Sequence, residues 1–242
     1  MHFEPQQVSP GDSLLWWKEA LELTVRHALV HVLVIAATIY LFAAQIWLSG
    51  LLFASIPVLF GLICVIAEAA DNSEPPLSNL RAKNIRVWGR LFMLGLYPYL
   101  LAIFGMALLS LLPLPVDSAV ERTTYTGSFS SGVIMLFAIY AWLVAGPFIW
   151  LAAPLLAVAE LPMGVAYTQA NQAFKLNGFV LIIPLILGVI AHLAFLLPVL
   201  VFPLIAIAGS MMYASYRHIW LGRGMNHPIT KRISNPAGAQ AI

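Results

Sequence analysis

The chain of 242 residues has little charge. Asp, Glu, Lys and Arg make up 9% of it, against about 25% in an average soluble domain. That scarcity excludes a soluble globular fold, a disordered chain and a nucleic-acid binder with a basic surface. Cysteine is almost missing: Cys64 stands alone, so neither a disulfide framework nor a Cys-based zinc site can be assembled. Enzyme signatures are missing too. There is no G-x-S-x-G, no H-E-x-x-H, no Walker loop and no Gly-rich dinucleotide turn, and no cofactor is implied. What the chain does have is apolar: 61% hydrophobic residues and a mean hydropathy of +0.90. This is the composition of a polytopic membrane protein, and it names no substrate and no reaction.

A helix needs about 20 mostly apolar residues to cross the hydrocarbon core of a bilayer. Four stretches lack Asp, Glu, Lys and Arg altogether: His27 to Ala67, Leu91 to Val116, Thr123 to Ala159, and Leu176 to Tyr216. The first is long enough for two spans with a turn at Ser49-Gly50, at 27–48 and 51–70. The fourth divides near Leu197-Pro198 into 176–196 and 199–217. The other two hold one span each, at 91–113 and 133–158, the latter kinked at Pro147. The expected fold is therefore all-α, a bundle of six transmembrane helices. The segment 1–26 precedes it, 27–220 forms the membrane domain, and 221–242 follows as a flexible tail. The first apolar run is too long for a cleavable leader and no small-x-small site follows it, so the first helix reads as retained.

Cation placement sets the orientation. Six spans put Lys18, Arg26, Arg81, Lys83, Arg86, Arg90, Lys175, Arg217, Arg223, Lys231 and Arg232 on one side and Arg122 alone on the other. Both termini are thus expected in the cytoplasm and the 114–132 loop outside. In a bacterial host the membrane is the inner, cytoplasmic one.

An amphipathic segment ending in a cation precedes each pair of spans: Ser13 to Arg26, Leu77 to Arg90, and Met163 to Lys175. In the first, Lys18, Glu19, Glu22 and Arg26 share one helical face, and Leu14, Trp17, Leu21 and Ala28 the other. Lys18–Glu22 and Glu22–Arg26 have the i,i+4 spacing that supports a helix. Ser9-Pro10 reads as an N-cap with Pro at the first helical position. In the second, Lys83, Arg86 and Arg90 line one face. Helices of this kind lie in the headgroup layer, and Arg81, Lys83, Arg86 and Arg90 are the expected lipid-headgroup contacts. Two readings stand: ordinary positive-inside flanks with aromatic anchors, or three related hairpins, each with its own interfacial helix.

The C-terminal half carries a family likeness. Trp150-Leu151-Ala152-Ala153-Pro154-Leu155-Leu156-Ala157-Val158-Ala159 is followed by Leu161-Pro162, by Ala170-Asn171-Gln172-Ala173-Phe174 and by Asn177. The last span closes with Tyr213-Ala214-Ser215-Tyr216-Arg217-His218-Ile219-Trp220. Residues 148–220 resemble an uncharacterised family of proteobacterial inner-membrane proteins with an apolar F-A-P stretch and a closing S-Y-R-D-I-F, and more loosely the YciC-like multi-span proteins. The chain departs from that pattern at His218, where the acid would stand, and at Trp220. The resemblance implies a six-helix inner-membrane protein, no chemistry and no functional residues.

The candidate polar site is a His31–Glu68 pair. With a turn at 49–50, these residues fall at equal depth on the first two spans, and a carboxylate near the hydrocarbon boundary needs a partner. With His27 they offer either a structural pair or a metal site or proton relay, which zinc would complete with a further ligand or water from Asp71 or Glu160. Gln45 and His192 read as interhelical hydrogen-bonding groups. Asp117, Glu121 and Arg122 occupy the outer loop. Ala206, Ser210 and Ala214, like Ala141 and Ala145 or Ala153 and Ala157, have the small-residue spacing that lets helices approach closely. No charge falls at the centre of a span, which argues against an ion-coupled carrier. The expectation is a non-catalytic integral membrane protein that acts as an accessory, assembly or immunity component. Its expected partners are lipids, and a membrane-protein partner or a second copy. The alternative is a transporter or channel for an uncharged or amphipathic solute.

Overall fold

Local sequence decides where the first helix begins, and it begins at Asp12 rather than Pro10. The Asp12 carboxylate accepts the Ser9 N–H at 2.7 Å, and the Asp12 N–H donates to the Ser9 carbonyl at 3.0 Å. This reciprocal closure satisfies backbone groups that a helix start leaves open. The computed structural model describes residues 4–44, 49–76, 78–110, 146–182, 186 and 198–222. Side chains are described over shorter stretches, from Ser55 onward in the third helix and chiefly up to Tyr97 in the fifth.

The helices are α1 (Asp12–Arg26), α2 (Ala28–Ala44), α3 (Ser49–Asp71), α4 (Ser78–Ala82), α5 (Ile85–Ser110), α6 (Gly146–Ala157), α7 (Met163–Asn177) and α8 (Pro198–Tyr216). A π-helical turn, Arg217–Leu221, continues α8. Among the described residues there is no strand, so the protein is all-α as expected. The chain leaves α1 at His27, whose backbone (φ −126°, ψ 37°) is not helical. α1 and residues Ala28–Thr38 of α2 meet there at 88°. Among the described residues no single helix is long and apolar enough to cross a membrane. This bent pair is long and apolar enough only when taken together. The second amphipathic segment is split, with α4 holding its first part and the opening turns of α5 the rest.

The core lies where α3, α6 and α8 converge. In α6 every described side chain from Trp150 to Ala157 is buried, and in α3 so is the run from Ile63 to Ala67. A helix apolar on all sides belongs in a protein core or in lipid, and these stretches lie in the core. The small-residue spacing is used as expected on α8, where Ala206, Ser210 and Ala214 are buried. Gly209 beside them brings the backbone of α8 against Ile63 of α3, and Gly61 sits against Leu91 of α5 and Ala157 of α6.

α3 and α6 stop in related ways, with closures that reach back five and six residues. The Glu74 N–H reaches back to the Ala69 carbonyl (2.8 Å) and the Leu161 N–H to the Leu155 carbonyl (3.1 Å). The residue inside each closure is left-handed: Ser73 at φ 56° and Glu160 at φ 54°. Such helix ends are usually built on glycine. Pro75-Pro76 and Pro162 follow, and proline cannot extend a helix.

Candidate functional site

Charged groups gather at one end of the bundle, where α3, α6 and α8 finish. The centre of this cluster is a buried ion pair. Arg217 opens the π-helical turn and Asp71 closes α3, with side chains 1% and 5% exposed. Arg217 Nη1 donates to Asp71 Oδ1 at 2.7 Å, and the Tyr213 hydroxyl donates to Asp71 Oδ2 at 2.9 Å. Tyr213 and Arg217 stand one helical turn apart, so α8 offers both to the end of α3. Burial pushes the Asp71 carboxyl above its ordinary value, and the Arg217 charge and the Tyr213 hydroxyl pull it back. Just above, Trp150 Nε1 of α6 donates to Ser215 Oγ at 3.1 Å. The residues that carried the family likeness at 150–159 and 213–220 are therefore packed on one another.

A second group caps α6. Lys83 Nζ lies 3.1 Å from Glu160 Oε1 and 3.8 Å from Glu68 Oε2, and it donates to the Val158 carbonyl at 3.2 Å. Arg90 Nη1 donates to the carbonyls of Glu160 and Leu161, both at 3.1 Å. These carbonyls follow the C-terminal end of a helix, where the backbone dipole leaves negative charge and attracts cations. Glu160 thus serves twice, through its carboxylate and through its left-handed backbone.

The third group ties the chain's beginning to its later helices. His218 Nε2 is 3.2 Å from both carboxylate oxygens of Glu19 on α1. Arg26 reaches the Ala70 carbonyl at 3.2 Å, and Thr24 donates to Ser210 at 2.9 Å. The Gln6 N–H donates to the Ile219 carbonyl at 2.7 Å. Asn177, buried at the end of α7, accepts from the Val8 N–H at 2.8 Å and donates to the Gln6 carbonyl at 3.0 Å. Its amide takes the place of a neighbouring strand for the extended segment before α1.

The expected His31–Glu68 pair is not formed. His31 is buried, and its Nδ1 donates to the His27 carbonyl one turn back at 3.1 Å. The nearest cation to Glu68 is Lys83, whose Nζ lies 3.8 Å from Oε2, an ion pair beyond hydrogen-bond distance. The physical reason is reach: Lys83 arrives over the end of α3 on a long flexible stem, whereas His31 finds a partner in the His27 carbonyl, at the bend between α1 and α2. Nε2 of His27 and of His31 are buried without hydrogen-bond partners among the described residues. Of the four expected headgroup cations, Lys83 and Arg90 turn inward to the end of α6 and Arg86 is exposed. Arg81 lies on α4, and its side chain is outside the described residues, as are Gln45, Asp117, Glu121, Arg122, Ala141, Ala145, His192 and the tail beyond Gly222.

Sequence reasoning missed the Arg217–Asp71 pair because Arg217 was read as a cation bounding an apolar gap and Asp71 only as a further ligand for a metal beside His31 and Glu68. The available signal was that Arg217 closes a stretch, Leu176 to Tyr216, without any other Asp, Glu, Lys or Arg. Chemically, this arrangement clamps. Its acids are held by cations or a hydroxyl, its cations by acids or carbonyls. Among the described residues no group of three or more His, Cys, Asp or Glu could hold a metal ion. Comparison of the chain with protein-family models, with characterised proteins and with solved structures finds no match.

Proposed function

We propose that the chain is an integral membrane protein with six spans and both termini in the cytoplasm, sited in the inner membrane of a bacterium. It acts without catalysis, as an accessory or assembly component, through its lipid-facing and interfacial helices. The observation that carries this reading is an inverted polarity. Leu29, Tyr40, Tyr97 and Phe104 on α2 and α5 are exposed, while Arg217, Asp71, Ser210 and Ser215 are turned inward. Water penalises large contiguous apolar surfaces, whereas lipid penalises outward charge. The charged groups at the end of the core, Arg217 and Asp71, pair with each other, which supports a contact role over a conducting one. Left-handed residues at the ends of α3, α6 and α8 (Ser73, Glu160 and, past the π-helical turn, Gly222) support three hairpins of one plan.

Because Cys64 is the chain's one cysteine, a Cys64→Ser background permits topology mapping. Ser118→Cys is expected to react with a membrane-impermeant maleimide in intact cells, and Ser78→Cys only after permeabilisation. The reverse pattern, or labelling of both in intact cells, refutes the proposed orientation.

A further inference from the structure

The acids of α1 are each engaged, Glu19 inside the protein and Glu22 at its surface, while certain cations of the amphipathic helices face out. On α1, Glu19 meets His218, Glu22 meets Arg26 and Asp12 accepts from Ser9. Lys18 is exposed on the same helix, as are Arg86 at the start of α5 and Lys175 at the end of α7. Among the described residues none of the three has an acidic partner. Lys175 is the one charged residue of α7. Each cation has exposed apolar neighbours: Leu14 and Leu21 around Lys18, on its own face and not the opposite one expected from the sequence, because they stand four and three residues from it; Ile85 beside Arg86; and Leu176 and Phe179 around Lys175.

Contacts already described bring these helices around one end of the bundle. Arg26 joins the end of α1 to the end of α3. Lys83 and Arg90 join the start of α5 to the residues just before α7. Asn177 joins the end of α7 to Val8, just before α1. This end of the bundle carries outward cations beside outward apolar side chains; of the described acids near them, Glu22 is exposed but paired with Arg26, and Glu4 is exposed before α1.

We infer that Lys18, Arg86 and Lys175 form a docking surface for anionic phospholipid. The phosphates of the headgroup layer accept from the three cations, and the apolar neighbours sit beneath them in the acyl boundary. This rests on the membrane reading above and deepens it. It also moves the headgroup contacts away from Lys83, whose ammonium the end of α6 occupies, and from Arg90 Nη1, which binds the carbonyls there.

The test uses the full chain purified in a neutral detergent, titrated with dioctanoyl phosphatidylglycerol or dioctanoyl phosphatidylcholine and read by native mass spectrometry. The wild type should prefer the glycerol lipid, the preference should shrink at high salt, and inorganic phosphate should not compete at equal concentration. A cation near an anionic surface is worth a factor of about five. Lys18→Gln, Arg86→Gln and Lys175→Gln together should therefore weaken binding of the anionic lipid by at least tenfold with an unchanged thermal midpoint. Lys83→Gln should lower the midpoint and keep the lipid preference. An unaltered preference in the triple variant overturns the inference, as does its loss in Lys83→Gln alone. Release of the wild-type protein from membranes by alkaline carbonate is a separate result, and it would refute the membrane reading itself.

Discussion

At the scale of the residue, two left-handed positions make opposite predictions from one cause. An L-residue at φ near 56° costs about 1–2 kcal/mol that glycine does not incur. Ser73 is exposed at such a position, so Ser73→Gly should raise the thermal midpoint by a few degrees. Gly222 has φ 61°, and an added Cβ would lie 2.9 Å from Gln6 Oε1. Gly222→Ala should therefore lower the midpoint, by about 1–2 kcal/mol of stability. The Arg217–Asp71 pair gives a sharper case. Removing one partner of a buried pair strands the other charge, at a cost of about 3–5 kcal/mol. Arg217→Met should be that severe, and so should Asp71→Leu. The double variant should be milder than the sum of the two, because neither charge is then left alone. Denaturation in detergent, run as a double-mutant cycle, measures the difference.

Helix packing is the matter at the scale of the element. α8 lies close to α3 because Gly209 has no side chain: a Cβ there would fall 2.5 Å from Ile63 Cγ2 and 2.7 Å from its Cβ. Ile63 is β-branched, so it has little rotamer freedom to move away. Gly61 is tight as well, but its closest neighbour is a terminal methyl of Leu91 at 2.5 Å, which can swing aside. Overpacking costs about 1–3 kcal/mol. Gly209→Ala should fall at the upper end and Gly61→Ala at the lower, read as the difference in their thermal midpoints. The small-residue stripe was legible in the sequence as a spacing of four. Gly209, which makes the closest approach, lay one position off that stripe, and no spacing rule marks it.

Across the whole molecule, a single amide joins distant parts of the chain. Asn177 binds the segment before α1 with one accepted and one donated bond. Asn177→Asp keeps the acceptor, loses the donor and buries a charge. A loss of about 2–3 kcal/mol follows, and limited proteolysis should then cut near residues 4–9 before the helices unfold. Asn177→Gln should not rescue it, because the longer side chain cannot present both groups at the same register.

The helical class, the approximate bounds of the expected spans at 27–48, 51–70 and 199–217, and the amphipathic segments followed from residue order alone; most of the expected span at 176–196 and the first part of that at 133–158 lie outside the described residues. Gaps between charges and the period of apolar faces are local properties, and a helix satisfies its own backbone wherever it is placed. The partners of the charged side chains did not follow. Lys83 could equally have faced phosphate, and Glu68 could have met His31. Which partner each took depended on where the ends of α3, α6 and α8 came together, with their open carbonyls and acids within reach of α5. That convergence is set by packing between segments far apart in the chain, so it was the tertiary structure that turned cations expected at the headgroups into clamps.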